Sequence, residues 1–246
     1  MAQNPYENPE VIQNQPRMPL LFLIDTSASM SGEKEIDGKN VVPIHELCVH
    51  MNRFKDEVCL DALTKKVLDV AIMRFDSDFS VLQPFMPIEK MMHLDLAAEG
   101  EDTVYSSAID HALTMVDNVR KEYNKRSGCY KPWIVFITDG APNSNDQKNI
   151  DNLAKRIAAL TDNGDVRLWC MAVGNGINSV SLHTLSPKRV FRLADYDFRS
   201  FINWLAKSMA RVSRSAPTDN ISVANLEGNM QQEVVLTQNP EHLPPA

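Results

Sequence analysis

Cysteine is scarce and scattered in this chain. The 246 residues include four cysteines, and no two of them form a CxxC pair. This spacing argues against a disulfide framework and against a cysteine-based zinc site. Three of the four, Cys48, Cys59 and Cys170, lie among apolar neighbours, which is the pattern of reduced, buried thiols. We therefore expect a cytoplasmic protein.

Two further features are missing, a membrane-spanning apolar run and an excess of positive charge. Residues 1–18 are rich in Asn, Gln and Pro and contain no apolar core, so the sequence predicts neither a signal peptide nor a membrane span. The 32 acidic residues outnumber the 25 basic ones, which gives a net charge of −7. Nucleic-acid binding needs a basic face. We expect neither a nucleic-acid nor a membrane partner.

Short apolar stretches with strand character alternate along the chain with stretches of helical periodicity. This order predicts an α/β, doubly wound (Rossmann-like) fold with a mostly parallel central sheet, one antiparallel edge strand and helices on both faces. The predicted strands cover 18–25, 67–76, 79–85 (the antiparallel edge), 133–140, 166–173 and 190–193, and the main helices 44–58, 103–119, 150–160 and 198–212. The domain spans 18–213, between a flexible N-terminal arm (1–17) and an extended or disordered C-terminal tail (214–246).

Two of the predicted strands are apolar throughout and end in a carboxylate. The first ends at Asp25 and is followed by Ser27 and Ser29, and the second ends at Asp139, within Thr138-Asp139-Gly140. In parallel α/β sheets, ligands bind beyond the carboxyl ends of the strands. Oxygen side chains on one tight loop suit a hard divalent cation, Mg²⁺ before Zn²⁺. The sequence therefore predicts a metal site at this edge.

These motifs resemble the von Willebrand factor A (vWA) domain, over about residues 18–213. The metal-ion-dependent adhesion site (MIDAS) of that family is written DxSxS, then a distant Thr, then a distant Asp. The corresponding residues here are Asp25, Ser27, Ser29, Thr103 and Asp139. The resemblance implies that the three hydroxyls bind Mg²⁺ or Mn²⁺, and that the two carboxylates hold it directly or through water.

Several stretches are similar to the bacterial TerY-like, tellurite-resistance-associated vWA proteins, among them Arg74-Phe75-Asp76 and the segment 131–142. This resemblance implies a non-enzymatic intracellular module that uses its metal ion to bind an acidic residue of a protein partner. It also implies a tellurite-resistance or stress-response system, with kinase- or phosphatase-like partners.

The residues around the predicted metal site differ from the family pattern. The family usually has a glycine-rich run before the Thr, whereas here Gly100, Glu101 and Asp102 precede it. The two carboxylates add negative charge, which favours a cation and disfavours an acidic partner. The loop 33–40 is longer than is common and borders the same rim, so partner choice is expected to differ. The predicted partner-binding rim consists of Glu33, Glu101, Asp102 and Gly140.

The same residues also have readings that need no metal. The hydroxyls after Asp25 can cap a helix or close a polar turn, Asp139-Gly140 can be a plain turn, and Thr103 can be a helix cap. For Asp76 and Asp78 a tight hairpin turn is favoured over a place at the rim. Two alternative functions stay open: a metal-dependent phosphohydrolase, which needs more acidic ligands and a general base, and a structural scaffold with a vestigial metal site.

Overall fold

The computed structural model describes residues 15–36, 38–174, 177, 179–219 and 221–233. Nearly all of the predicted N-terminal arm and the last part of the predicted tail lie outside these residues. The strands are β1 (Met18–Asp25), β2 (Lys34–Ile36), β3 (Lys39–Val41), β4 (Leu68–Phe75), β5 (Phe79–Pro87), β6 (Trp133–Thr138), β7 (Arg167–Val173), β8 (Val190–Leu193) and β9 (Met230–Gln232). The helices are α1 (Pro43–Cys59), α2 (Ala62–Val67), α3 (Tyr105–Asn124), α4 (Gln147–Asp162), α5 (Val180–Leu185) and α6 (Phe198–Ser213).

Seven strands form the main sheet in the order β5-β4-β1-β6-β7-β8-β9. The inner strands are parallel, and β5 pairs antiparallel with β4 at one edge. The predicted fold class, including this antiparallel edge, is confirmed. The sequence prediction omitted the short strand β9, which pairs antiparallel with β8 at the other edge.

Strand β1 occupies an inner position of the sheet, between β4 and β6, and all eight of its residues are buried. Successive side chains on a strand point to opposite faces. Phe22 accordingly packs in one apolar layer with α1 and α6, while Leu23 packs in the other with α3 and α4. Burial on both faces explains why this strand is apolar without alternation, and it places Asp25 at the carboxyl edge of the sheet.

The folded part of the chain continues past the predicted domain boundary at residue 213. The backbone N–H of Ala224 donates to Ser208 Oγ (3.0 Å), and its carbonyl accepts from Trp204 Nε1 (3.1 Å). Residues 221–233, within the predicted extended or disordered tail, pack on α6 and form β9. These residues carry only isolated apolar side chains, too few to reveal a packed segment by their pattern.

The polar stretch after β1, predicted as a loop, contains a small hairpin. Strands β2 and β3 pair antiparallel, and Gly38 in the turn has a φ of +74°, a conformation that favours glycine. Ile36 and Val41 of the hairpin border a groove together with Tyr196 and Phe198, at the start of α6. The hairpin thus stands at the same edge of the sheet as Asp25.

Among the helices in the described part of the chain, none is both long and apolar enough to cross a bilayer.

Candidate metal site

Asp25 is fully buried at the end of β1, and both of its carboxylate oxygens accept hydrogen bonds. Oδ1 accepts from the backbone N–H of Ser27 (2.8 Å), and Oδ2 accepts from Thr138 Oγ1 (2.5 Å). Thr138 is the last residue of β6, which lies next to β1 in the sheet. Neighbouring parallel strands therefore bring together the two carboxyl-end loops that the sequence marked.

Ser27 and Ser29 lie on the loop that follows β1, which we call the first loop, and they connect Asp25 to Asp139. The 3-10 turn Ala28–Ser31 places Ser27 Oγ and Ser29 Oγ 3.1 Å apart, and Ser29 Oγ donates to Asp139 Oδ1 at 2.5 Å. Oxygen atoms from both loops thus form a continuous polar cluster. The turn does not fit the interpretation as a helix cap, because Ser27 makes no side-chain cap and the Ser29 hydroxyl donates to a distant loop.

Thr103 joins this cluster from a third loop. A Cβ placed on Gly140 would lie 3.8 Å from both Ser29 Oγ and Thr103 Oγ1, so the two hydroxyls face the same small space. The backbone N–H of Asn143 donates to the carbonyl of Thr103 (2.8 Å) and fixes its loop. Helix α3 begins at Tyr105, after an N-cap at Val104. The sequence predicted that Thr103 opens this helix. The structure instead places Thr103 in the loop before it, where its side chain is not needed as a cap.

The structure brings together all five residues that the sequence singled out. We call Asp25, Ser27, Ser29, Thr103 and Asp139 the candidate metal site.

Gly100 holds the Thr103 loop against the first loop, and sequence reasoning gave it no role. Its carbonyl accepts from the N–H of Ala28 (2.8 Å), and its own N–H donates to the carbonyl of Thr26 (3.2 Å). A Cβ at this position would lie 2.2 Å from Asp76 Cβ, a distance that real Cβ atoms essentially never show. The sequence signal for this role was the glycine that directly precedes Glu101 and Asp102.

Asp76 supports the loops and makes the contacts of a turn. Its Oδ2 accepts from Thr26 Oγ1 (3.1 Å) and pairs with Arg74 (2.7 Å), while its Oδ1 accepts from the N–H of Asp78 (3.1 Å). The favoured reading of Asp76-Ser77-Asp78 as a tight turn between β4 and β5 is therefore confirmed.

Asp146 fixes the start of α3, and the sequence gave no sign of this role. Its buried carboxylate accepts from the N–H groups of Tyr105 (2.8 Å) and Ser106 (2.9 Å), and also from the Ser106 hydroxyl. A carboxylate at a helix N-terminus satisfies free N–H groups and complements the helix dipole. Asp146 thereby anchors the helix that directly follows Thr103.

We expect Asp146→Ala to lower the free energy of unfolding by about 2 kcal/mol, because it removes a cap and leaves buried N–H donors without partners. It is also expected to weaken metal binding by displacing Thr103. Chemical denaturation and calorimetry measure the two effects. Asn145→Ala, at an exposed neighbouring position, is the control. Equal stability of the two variants would show that this cap is unimportant.

The rim residues named from the sequence are exposed, apart from Gly140. Glu33 accepts from Asn40 Nδ2 (3.1 Å), and the N–H of Asp102 donates to Ser77 Oγ (3.2 Å). The rim also contains a cation that sequence reasoning missed. The charge of Lys34, on the hairpin, acts on Asp139 and partly offsets the effect of burial on its pKa.

Burial raises the pKa of both site carboxylates. The pKa of Asp25 rises from 3.8 to about 6, because loss of solvent outweighs the hydrogen bonds from Ser27 and Thr138, and the charge of Asp139 adds to the rise. The pKa of Asp139 also rises by burial. The two carboxylates are thus desolvated, which a bound cation would offset.

The chemistry of these donors fits Mg²⁺ or Mn²⁺. All five side chains offer oxygen, the ligand atom that hard cations prefer, and none offers sulfur or imidazole nitrogen. Within the described ranges, no group of three or more His, Cys, Asp or Glu residues is arranged to hold a metal ion. The candidate site is therefore rich in hydroxyls and has only two carboxylates, unlike the several acidic ligands that the phosphohydrolase alternative needs.

Proton competition gives a testable pH dependence. Because the folded-state pKa of Asp25 is raised to about 6, the metal-free folded protein binds this proton more tightly than the unfolded chain. The free energy of unfolding should therefore rise as the pH falls from about 6 toward 4. Cation affinity should fall over the same range, by about fivefold between pH 6 and pH 5. Calorimetric titration at several pH values measures the affinity, and an affinity independent of pH would contradict the prediction. Chemical denaturation in EDTA measures the stability, with Asp25→Asn as the control that lacks the titrating group.

Comparison with known proteins agrees with this fold. The family model of the von Willebrand factor type A domain matches residues 20–204. The chain therefore belongs to the von Willebrand factor type A domain family. Domains of this family bind a divalent metal at the MIDAS and commonly mediate protein–protein interactions. No curated protein sequence matches the chain significantly.

Similar solved structures come from varied sources. The pilus adhesin SpaC from Lactobacillus rhamnosus GG has a TM-score of 0.59 at 11% identity, with 80% of this chain and 31% of that one covered. A von Willebrand factor type A protein from Catenulispora acidiphila has a TM-score of 0.54 at 15% identity, covering 81% and 43%. Proximal thread matrix protein 1 from the mussel byssus has a TM-score of 0.50 at 15% identity, with 80% of this chain and 49% of that one covered. The chain thus spans about half the length of the mussel protein. At these identities the likeness shows the fold alone.

Proposed function

We propose that this domain is a non-enzymatic protein-binding module that presents Mg²⁺ or Mn²⁺ to an acidic side chain of a partner protein. The candidate metal site would hold the ion, through the hydroxyls of Ser27, Ser29 and Thr103 and the carboxylates of Asp25 and Asp139. The observation that carries the proposal is the convergence of these five oxygen-bearing side chains from three loops, around the desolvated carboxylate of Asp25.

The donor set explains why a partner carboxylate would be attracted. Hydroxyl ligands carry no charge, so an ion held mainly by them keeps positive charge that an Asp or Glu from outside can neutralise. The burial of Asp25 supports this, since its carboxylate is positioned by hydrogen bonds before any ion arrives. A site that is fixed in advance loses less entropy on binding.

The rim would select among acidic partners. The ammonium group of Lys34 lies beside Gly32, where a Cβ would be 3.6 Å from its Nζ, and its charge acts on Asp139. The exposed carboxylates of Glu33, Glu101 and Asp102 would repel an acidic surface. We propose that the partner places one carboxylate at the ion and basic or neutral residues around it.

The biological setting is proposed from the sequence resemblance. The TerY-like stretches, including the segment 131–142, support a cytoplasmic role in tellurite resistance or stress response, with kinase- or phosphatase-like partners. The structural relatives described above contribute nothing to this part of the proposal.

The proposal is tested by affinity capture from a lysate of the source organism, with Mg²⁺ or with EDTA. Ser29→Ala removes a site hydroxyl, and Ser31→Ala is the matched control, because its hydroxyl only donates to the Ala28 carbonyl (2.8 Å) in the same turn. We expect a partner that is retained by the wild type and by Ser31→Ala in Mg²⁺, and lost with EDTA or with Ser29→Ala. Identical captures in all conditions would favour the vestigial-site alternative.

A parallel assay with a small aryl phosphate addresses the enzymatic alternative. We expect no turnover with Mg²⁺ or Mn²⁺. Metal-dependent hydrolysis that Ser29→Ala reduces and Ser31→Ala preserves would instead favour a phosphohydrolase.

A further inference from the structure

A basic cavity lies at the opposite edge of the sheet from the candidate metal site. It has a volume of about 500 Å³ and lies between the C-terminal half of α4 and the segment that connects α5 to β8. The strands β6, β7 and β8 begin here, whereas the candidate metal site lies beyond the carboxyl ends of β1 and β6. The length of β6, six residues, separates the two places by roughly 20 Å.

The charged groups that line this cavity are mostly positive. They are four cations and one carboxylate: Lys131, Arg167, Lys188, Arg189 and Asp162. Such a local excess is notable in a chain with a net charge of −7. Like charges held close together repel each other and cost free energy, unless an anion compensates them.

The two arginines are fixed in place and desolvated. Arg167 is only 8% exposed, and its guanidinium lies 6.0 Å from the ring centre of Trp133. The guanidinium of Arg189 lies 5.5 Å from the ring centre of Trp169. These are distances of cation–π contacts, which orient a guanidinium without neutralising it. Burial lowers the pKa of both arginines, and the charge of Arg189 lowers the pKa of Arg167 further.

Nearby carboxylates do not neutralise Lys131, Lys188 or Arg189. Asp165, just before Arg167 in the chain, pairs instead with Arg120 (2.8 Å). Across the residues that the structure describes, no carboxylate lies within ion-pair distance of Lys131, Lys188 or Arg189. The positive charge of these three residues is therefore available to an external ligand.

A buried hydrogen-bond donor without a partner lies in the same region. The Nε1 atom of Trp169 is buried and has no hydrogen-bond partner among the described residues. Trp169 is 5% exposed and borders, with Arg167 and Arg189, a second cavity on the other side of the two arginines. An unpaired buried donor costs free energy. Because Trp169 borders the second cavity and does not line the basic one, this donor is not a contact for a ligand of the basic cavity.

We propose that the basic cavity binds a small polyphosphate anion, either pyrophosphate or the polyphosphate chain of a nucleotide. Guanidinium groups recognise phosphate oxygens through paired hydrogen bonds, and lysines add charge without fixed geometry. The charges of Lys131, Lys188 and Arg189, against the one carboxylate of Asp162, favour a multivalent anion over a single carboxylate. The cavity has the volume of a small-molecule site. This proposal is independent of the function proposed for the candidate metal site.

Tryptophan fluorescence can measure this binding directly. The chain has three tryptophans. Trp133 and Trp169 lie against the two arginines of the cavity, and both contact Trp204. The full chain is titrated in EDTA, so that no cation connects an anion to the candidate metal site. The anions are orthophosphate, pyrophosphate and ATP. We expect saturable binding of pyrophosphate that is at least about tenfold tighter than that of orthophosphate. Tighter binding of ATP than of pyrophosphate would identify a nucleotide as the ligand, and equal binding would identify the phosphate groups.

The variants test the individual cations. Arg189→Met keeps an unbranched chain against Trp169 and removes the charge, and it should weaken pyrophosphate binding about tenfold or more. Lys188→Gln changes an exposed residue, so the substitution should disturb folding less. It should weaken pyrophosphate binding about threefold. Lys148→Gln removes an exposed charge at the other end of α4 and should leave binding unchanged.

Three outcomes would overturn the proposal. They are the absence of saturable binding to any of the three anions, equal weakening by Lys148→Gln and Lys188→Gln, and tighter binding of a glutamate-rich peptide than of pyrophosphate. The last would indicate an acidic protein segment as the ligand.

Discussion

Asp25→Asn is expected to abolish divalent-cation binding while the domain stays folded. The cation loses a carboxylate at the centre of the candidate metal site, and we expect its affinity to fall about 100-fold or more. The amide keeps the shape of the carboxylate, and its oxygen can still accept from the N–H of Ser27. Isothermal titration with Mg²⁺ and Mn²⁺ measures this effect.

The same variant should be more stable than the wild type when metal is absent. Burial raises the pKa of Asp25 to about 6, so at neutral pH the folded protein holds a charge that is costly to desolvate. Removing that charge should raise the free energy of unfolding by about 1–3 kcal/mol in EDTA. Excess Mg²⁺ should reverse the order, because only the wild type gains stability from binding.

Asp151→Asn, on the exposed side of α4, is the control. It removes the same charge and should change neither metal affinity nor the response to EDTA. If Asp25→Asn bound cations as tightly as the wild type, the site would have been assigned to the wrong residues. If Asp25→Asn were less stable than the wild type in EDTA, Asp25 would serve the fold, as the interpretation of this loop as a polar turn proposes.

Gly100→Ala is expected to have the largest effect on stability among single-methyl changes at this edge. Its Cβ would lie 2.2 Å from Asp76 Cβ and 2.6 Å from Asp76 Cγ. Asp76 cannot easily move away, since it is held by Thr26 and Arg74. Either the bridge between Gly100 and the first loop breaks, or the turn shifts. We expect a loss of about 3 kcal/mol or more in the free energy of unfolding.

The loss should extend to metal binding, because the Gly100 bridge holds the Thr103 loop beside Ser27. Gly140→Ala is the matched control for stability: its Cβ would meet two hydroxyls at 3.8 Å, an ordinary contact distance. We expect Gly140→Ala to unfold within about 0.5 kcal/mol of the wild type. Chemical denaturation of both variants decides the matter, and similar unfolding curves would show that the close approach at Gly100 is easily relieved.

The position of most elements could be read from the sequence. Strand β1 is apolar throughout because it is buried on both faces, and this pattern is visible without any knowledge of its neighbours. The end of that strand predicted where Asp25 would lie, and the same reasoning placed Asp139 at the end of a second strand. The periodicity of α1 and α6 was equally clear, since each carries one continuous apolar face.

Other features depend on contacts between distant parts of the chain and leave no local pattern. Asp146 caps a helix that begins 41 residues earlier, so no capping motif marks it. Gly100 is needed because Asp76 lies against it, and a lone glycine does not reveal its neighbour. Residues 221–233 have too few apolar side chains to predict their place on α6.

The sequence by itself determined the fold class and placed Asp25, Ser27, Ser29 and Asp139 at one edge, because these follow from burial and from the carboxyl ends of parallel strands. Thr103 was added by the resemblance to the vWA family. Only the tertiary structure decided which residues support that site and that four cations meet at the far edge. Arg167 begins β7, Lys131 lies just before β6, and Lys188 and Arg189 precede β8. Their positive charges come together because the parallel strands β6, β7 and β8 start side by side.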